Sequence, residues 1–203
     1  MTQRDRRLYL LHWLLAEKPV YKTISIPEEE RLQRQLLRSL FNVRPPQPAD
    51  VDFLAVQDAY LQAEIRQKGI TALSDLSPRE KDLYLWQGDI TTLQADAIVN
   101  AANDALLGCF LPCHACIDNT IHTYAGIQLR LACADIMRQQ GCPEPTGRAK
   151  LTPAFNLPSR FVLHTVGPII DGIPTEEEGA LLASCYRSCL ELADKNRLTS
   201  VAF

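Results

Sequence analysis

No apolar run in this chain is long enough to cross a bilayer. The longest near its start, Leu8 to Ala16, is interrupted by His12. Arg4, Arg6 and Arg7 precede it and imitate an export signal, but Glu17-Lys18-Pro19 follows with no small-residue cleavage site. The segment is therefore expected to be an amphipathic helix of a cytoplasmic protein. Neither sign of charge dominates: 21 basic and 24 acidic side chains leave a net charge of −3. That excludes a broad attraction to nucleic acid or to anionic membranes, so neither is expected as a partner. Internal repeats and low-complexity runs are also missing. Seven cysteines, an odd number, argue against a disulfide framework where no export signal is read. With 203 residues, 46% hydrophobic and 22% charged, wholesale disorder, collagen and coiled-coil rods are excluded.

Two textures divide the chain. Residues 1–80 are rich in Leu, Arg, Gln and Glu and predict three helices: Arg4 to Glu17, one starting at Pro27 and running through Leu40, and Val51 to Gln67 stopped by Gly69. Residues 81–203 alternate strands with helices. Strands are expected at Leu83 to Gln87, at Ala97-Ile98-Val99, over Arg160 to Val166 and from Thr199 to Phe203. One helix should follow Asp118 through Met137, and another Glu176 through Leu192. This order indicates a layered α/β domain behind a helical N-terminal extension. Cys133, Cys185 and Cys189 fall in helical patterns and read as small buried hydrophobes.

The densest chemistry is Gly108-Cys109-Phe110-Leu111-Pro112-Cys113-His114-Ala115-Cys116. Thiolate and imidazole are the preferred ligands of zinc, and four candidates stand within this one loop. A second separated pair, as structural zinc sites use, is lacking. Three ligands and an open position suit a catalytic or substrate-binding ion. Spacing does not say which three of the four bind, and a cysteine-rich loop without metal is the plain alternative. Asp118 follows at an expected helix start, where it either caps the helix or positions water. His122 shares its face at i+4. Asp89 after Gly88 is a natural turn residue that could also accept a hydrogen bond from an exocyclic amine. Asn100 and Asn103, at a strand end, could bond a sugar hydroxyl or simply make a turn.

In order, Gln87-Gly88-Asp89-Ile90-Thr91, Ile98-Val99-Asn100-Ala101-Ala102-Asn103, Ile117-Asp118, Ile121-His122-Thr123-Tyr124-Ala125-Gly126, Thr146-Gly147-Arg148-Ala149-Lys150-Leu151-Thr152 and Val162-Leu163-His164-Thr165-Val166-Gly167-Pro168 resemble the motifs of macrodomains. Gly108-Cys109-Phe110 with His114, Cys116 and Ile117-Asp118-Asn119 resembles, more narrowly, the zinc-containing microbial subclass linked to removal of ADP-ribose from proteins. The match covers about residues 83–203, and the helical extension is similar to that of the subclass.

The resemblance implies a macrodomain over residues 81–203 and a division of labour within it. Asp89 would bind the adenine amine and Ile90 would add a backbone contact. Asn103 would hold the distal ribose. Cys109, His114 and Cys116 would ligate Zn2+, with Cys113 outside the set. Asp118 would be the catalytic acid group, and His122 the helical histidine beside the ligand. The implied activity is a zinc-dependent hydrolase that removes ADP-ribose from mono-ADP-ribosylated protein side chains. Its implied partners are ADP-ribose and the modified protein. A module that binds ADP-ribose without cleaving it, and a protein whose zinc merely braces a loop, are the alternatives. The family pattern continues past Thr199 into a Gly-rich phosphate-binding loop, so a chain ending at Phe203 is expected to hold an incomplete macrodomain.

Overall fold

Helix α1 spans Gln3–Ala16 in the computed structural model, which describes residues 1–203. Thr2 opens it with a capping box: its Oγ1 accepts the Asp5 N–H at 3.1 Å, and the Asp5 carboxylate accepts the Thr2 N–H at 2.9 Å. Helix α2 spans Glu30–Val43 and starts three residues later than Pro27 suggests. The Gln33 side chain donates to the Pro27 carbonyl at 2.7 Å, which holds that turn outside the helix. Helix α3 spans Val51–Lys68, capped by Asp50 and ended by Gly69 at φ +91°. Leu10, Leu14, Leu37, Phe41, Phe53 and Leu61 are buried where the three helices meet. Each contributes roughly 1.5–3 kcal/mol by leaving water.

Two small ladders follow. Strand β1 (Thr71–Ala72) pairs in parallel with β4 (Leu93–Gln94), and β2 (Pro78–Glu80) forms an exposed hairpin with β3 (Leu83–Tyr84). The expected strand over Leu83–Gln87 is thus only two residues long and stands outside the main sheet. The chain curls instead at Trp86, whose ring lies against Gly88: a Cβ built there would sit 2.2 Å from it.

The main sheet has the order β6-β7-β5-β8 and comprises β5 (Ala97–Ala102), β6 (Ala149–Pro153), β7 (Phe161–Val166) and β8 (Val201–Ala202). β7, β5 and β8 run parallel, and β6 joins as an antiparallel edge that periodicity does not announce. Helices α4 (Ile117–Ala125) and α5 (Ile127–Gln140) lie between β5 and β6 in the chain, and α6 (Glu176–Lys195) lies between β7 and β8. The single helix expected from Asp118 to Met137 is two. Gly126, at φ +96°, separates them, and a Cβ there would stand 2.7 Å from both the Gln57 and Gln128 side chains.

Ile98, Leu129, Cys133 and Val162 pack between the sheet and α4–α5, while Ala97, Leu163, Cys189 and Ala193 pack between the sheet and α6. The three scattered cysteines are buried as expected, at 0–4% exposure. The helical extension and the sheet exchange residues: Ile65 of α3 joins the sheet core, and Ile127 of α5 joins the helical core. No helix is long and apolar enough to cross a membrane.

Candidate functional site

Three ligand atoms converge in the loop between β5 and α4. Those of Cys109, His114 and Cys116 all lie within 4.8 Å of one another, with the Cys109 Sγ 3.6 Å from the His114 Nδ1. Cys113 points elsewhere: its Sγ lies 3.3 Å from the Ser39 Oγ and 3.4 Å from the Gln35 carbonyl, both on α2. The donor chemistry fits a borderline-soft divalent ion. Two sulfurs and an imidazole at this spacing, half-buried to exposed, make a three-ligand set of the kind zinc takes. Burial pushes the Cys116 thiol above its ordinary pKa; the Asn119 N–H opposes that, and the Cys109 sulfur adds to it. A cation among these groups would reverse the effect.

Cys116 has a second duty. Its sulfur accepts the Asn119 N–H at 3.4 Å as the N-cap of α4. Asp118 is therefore not the cap that an acidic residue at a helix start suggests. It lies in the first turn, 5% exposed, and receives the Asn100 amide on Oδ1 at 2.8 Å and the Asn103 amide on Oδ2 at 3.3 Å. Burial raises its carboxyl above the ordinary carboxylate pKa, against the Asn100 bond and the charge of Arg130. Asn103, exposed at the end of β5, also donates to the Gly108 carbonyl at 3.0 Å.

His122 is buried one turn beyond Asp118, with its Nε2 3.5 Å from Oδ1, and neither ring nitrogen has a hydrogen-bond partner. Burial holds it neutral, well below its ordinary pKa, helped by the charge of Arg130. Gly108 lies flat against its ring at φ +76°; a Cβ there would come within 2.7 Å of Cγ. His122, Cys133 and His164 also bring their ligand atoms within 4.8 Å of one another. However, His164 has Asn100 Nδ2 at 3.1 Å on Nδ1 and Thr152 Oγ1 at 2.9 Å on Nε2. Since an amide nitrogen only donates, Nδ1 accepts and the proton sits on Nε2. His164 is thus spoken for on both ring nitrogens as hydrogen-bonded core, unlike His122.

Asp89 and Ile90 line a cleft of about 590 Å³, together with Val99, Thr165, Tyr186 and Phe203. Ala115 and Ile117, on either side of Cys116, line the same cleft, so it borders the ligand loop. Asp118 and His122 lie beneath the loop rather than on the cleft wall. Asp89 Oδ1 accepts the N–H and the hydroxyl of Thr91 at 3.0 and 2.6 Å, and Oδ2 accepts Lys68 Nζ at 2.8 Å. Burial works to raise its pKa, but the bonds from Lys68 and Thr91 together lower it. Lys68 also sits 3.4 Å above the Tyr124 ring. Of two larger hollows, the one between α1 and the turn after it is lined by none of these groups, whereas the one between α2 and α3 is bordered by Lys68, Tyr124 and Cys113.

Sequence reasoning missed Asn119, Arg38, Arg130, Thr152 and Lys68. Their partners are 12 to 89 positions away in the chain, except for the loop carbonyls that Asn119 reaches nearby. Gly126 was the visible signal for the helix break, because glycine inside a helical pattern invites one.

A profile for the Macro domain matches residues 99–203. A protein of Treponema medium named protein-ADP-ribose hydrolase is 58% identical over 207 residues, covering 100% of this chain and 79% of that one. A protein of the same name from Staphylococcus aureus strain MSSA476 is 47% identical, covering 100% of this chain and 76% of its own length. Among solved structures, a Trypanosoma brucei macrodomain in complex with ADP superposes with a TM-score of 0.57 at 30% identity, over 82% of this chain and 72% of that one. An Oceanobacillus iheyensis macrodomain variant with ADPR gives 0.50 at 43% identity, over 56% and 59%.

Proposed function

Because this chain belongs to the macrodomain family, we propose that it is a protein-ADP-ribose hydrolase that frees ADP-ribose from modified side chains with the help of a bound zinc ion. The observation that carries the reading is the convergence of Cys109, His114 and Cys116 in a loop whose Ala115, with the following Ile117, lines the same cleft as Asp89. A cleft alone serves a reader equally well; a ligand trio beside a buried carboxylate adds the means of hydrolysis.

Cys109, His114 and Cys116 would hold the ion, which when bound would supply Lewis acidity. Asp89 accepts the exocyclic amine of adenine, and Lys68 keeps that carboxylate in its accepting, ionised form. Ile90 lines the same cleft and contacts the base. Asn103 turns its amide to a ribose hydroxyl, giving up its 3.3 Å bond to Asp118, the longer of the two on that carboxylate. The freed oxygen of Asp118 then orients a water. The water oxygen bonds the anomeric carbon as the bond from that carbon to the acceptor atom breaks; the water proton passes to Asp118 and from it to the departing acceptor side chain. His122 stays neutral beneath Asp118 and supports its placement. The seven unpaired cysteines support a reducing compartment, the cytoplasm.

The test is release of ADP-ribose from a mono-ADP-ribosylated protein by wild type, Asp118→Asn and Cys116→Ser. A fall of roughly 10²–10⁴-fold in the Asp118 variant is expected for a lost general base. Equal rates in all three would reject the assigned roles. Tight binding of ADP-ribose by calorimetry, with no turnover by wild type, would make the protein a reader.

A further inference from the structure

The loop that carries the three ligand atoms is fastened from outside the α/β domain. Arg38 of α2 donates from Nη2 to the His114 carbonyl at 2.9 Å and to the Asn119 Oδ1 at 2.8 Å. Asn119, fully buried in the first turn of α4, passes the connection on. Its Nδ2 donates to the carbonyls of Cys109 at 3.3 Å and Leu111 at 2.9 Å. Four residues further along α2, Asn42 accepts the Cys113 N–H at 2.9 Å and donates to the Thr123 Oγ1 at 2.9 Å. Cys113 has φ +54°, a left-handed conformation that costs a residue with a Cβ roughly 1–2 kcal/mol. Its amide and its sulfur are both engaged by α2. The backbone of two of the three ligand residues, and the strained residue between them, are therefore tied directly or through Asn119 to one face of α2.

We infer that Arg38 and Asn42 of the helical extension are positioning residues for the ligand loop, preorganising Cys109, His114 and Cys116 for the metal. Packing against α1 and α3 explains the buried leucines of α2, but it does not require a guanidinium bonded at once to the backbone of one ligand residue and the side chain that fixes another. Without these bonds Cys113 has no reason to remain left-handed, and the His114 carbonyl loses its donor. The ion must then order the loop at its own cost in affinity. Partners of this kind around metal ligands are worth about 10–100-fold in metal affinity. The inference rests on the metal reading above.

Two measurements on the 203-residue chain test it, using Arg38→Ala and Asn42→Ala, Arg38→Gln as the milder change, and Arg31→Ala as the control. Arg31 lies on the same helix but bonds only Glu29 at the surface. The first measurement is amide hydrogen exchange of residues 109–116 in metal-free protein. Faster exchange confined to that segment is expected in the Arg38 and Asn42 variants and not in Arg31→Ala. The second is competition for Zn2+ against a chromophoric chelator, where a 10–100-fold weaker Kd is expected in the same variants. If the variants match wild type in both exchange and Kd, the inference is overturned. If wild type itself takes no zinc, the metal reading falls and the inference with it. Exchange that quickens throughout the chain would assign Arg38 to general stability and also overturn the positioning role; Arg38→Gln, which retains an amide donor, guards against collapse of the alanine variant.

Discussion

The side chain of Asn100 donates a hydrogen bond to Asp118 at 2.8 Å from its place in the centre of the sheet. On its other side Asn100 stands in register with His164 of β7, whose Nδ1 takes the second amide hydrogen. One buried amide thus joins the acidic group under the ligand loop to a histidine in the core, and Thr152 finishes the chain at the sheet edge.

Replacing Asn100 with Ala leaves an acceptor on Asp118 and another on His164 without a donor. Each buried orphan costs about 1–3 kcal/mol. A loss of roughly 2–6 kcal/mol is expected in urea denaturation, with turnover falling more than KM rises because the carboxylate loses its orientation. Stability within about 0.5 kcal/mol of wild type would show that the amide carries no such load.

Cys116→Ser separates the metal from the fold. Serine is among the best N-cap residues, so α4 keeps a cap where the cysteine sulfur served. Elemental analysis should find zinc in wild type and little in the variant, while far-ultraviolet circular dichroism and cooperative melting persist. A variant that keeps its zinc would remove Cys116 from the ligand set.

Gly108→Ala drives a methyl group to within 2.7 Å of the His122 ring at a left-handed backbone position. The backbone term of about 1–2 kcal/mol and overpacking of about 1–3 kcal/mol predict a total loss of roughly 2–5 kcal/mol. Chemical denaturation measures it, and a crystal structure of the variant should show the loop lifted from His122. An unshifted denaturation midpoint would contradict the contact.

Acidification should weaken the fold between about pH 6.5 and pH 4. His164 is entirely buried, and burial depresses its pKa to about 4 from an ordinary 6.5. Below 6.5 the unfolded chain binds a proton that the folded chain refuses. Its contribution is complete above that pH, falls as the pH drops, and is gone once the pH passes below 4. The interval is worth on the order of 3 kcal/mol. His122, also depressed by burial, acts in the same direction, whereas Asp118, raised by burial, acts against it. Comparing urea midpoints of wild type and His164→Gln at pH 7, 5.5 and 4 isolates the His164 share. Parallel curves for the two proteins would refute it.

Local features were legible wherever the physics is local. α1 and α3 follow from their leucine spacing, the Asp50 cap and the Gly69 stop, and the crowding of Cys109, His114 and Cys116 declares itself in eight residues. Ordered motifs carried the α/β layering as well. Misreadings arose where tertiary contacts overrode a pattern. The apolar run at Leu83 pairs only with β2, outside the main sheet, Gln33 unwinds the turn after Pro27, and a cysteine takes the cap that Asp118 suggests. The edge strand β6 is too mixed in burial to show alternation. Nothing in one sequence could reveal that Arg38 meets Asn119 across 81 positions, or that Lys68 reaches Asp89, because such pairs are chosen by the folded shape.

The reciprocal placement of Ile65 and Ile127 bears on how such a chain can be inherited. Each half plugs a hole in the other, so a crossover near residue 80 that brought in a foreign amino-terminal half would open two voids at once. The helices and the sheet should therefore descend together as one unit of recombination, and chimaeras joined at that point should be recovered as insoluble protein unless both isoleucines find replacements of equal size.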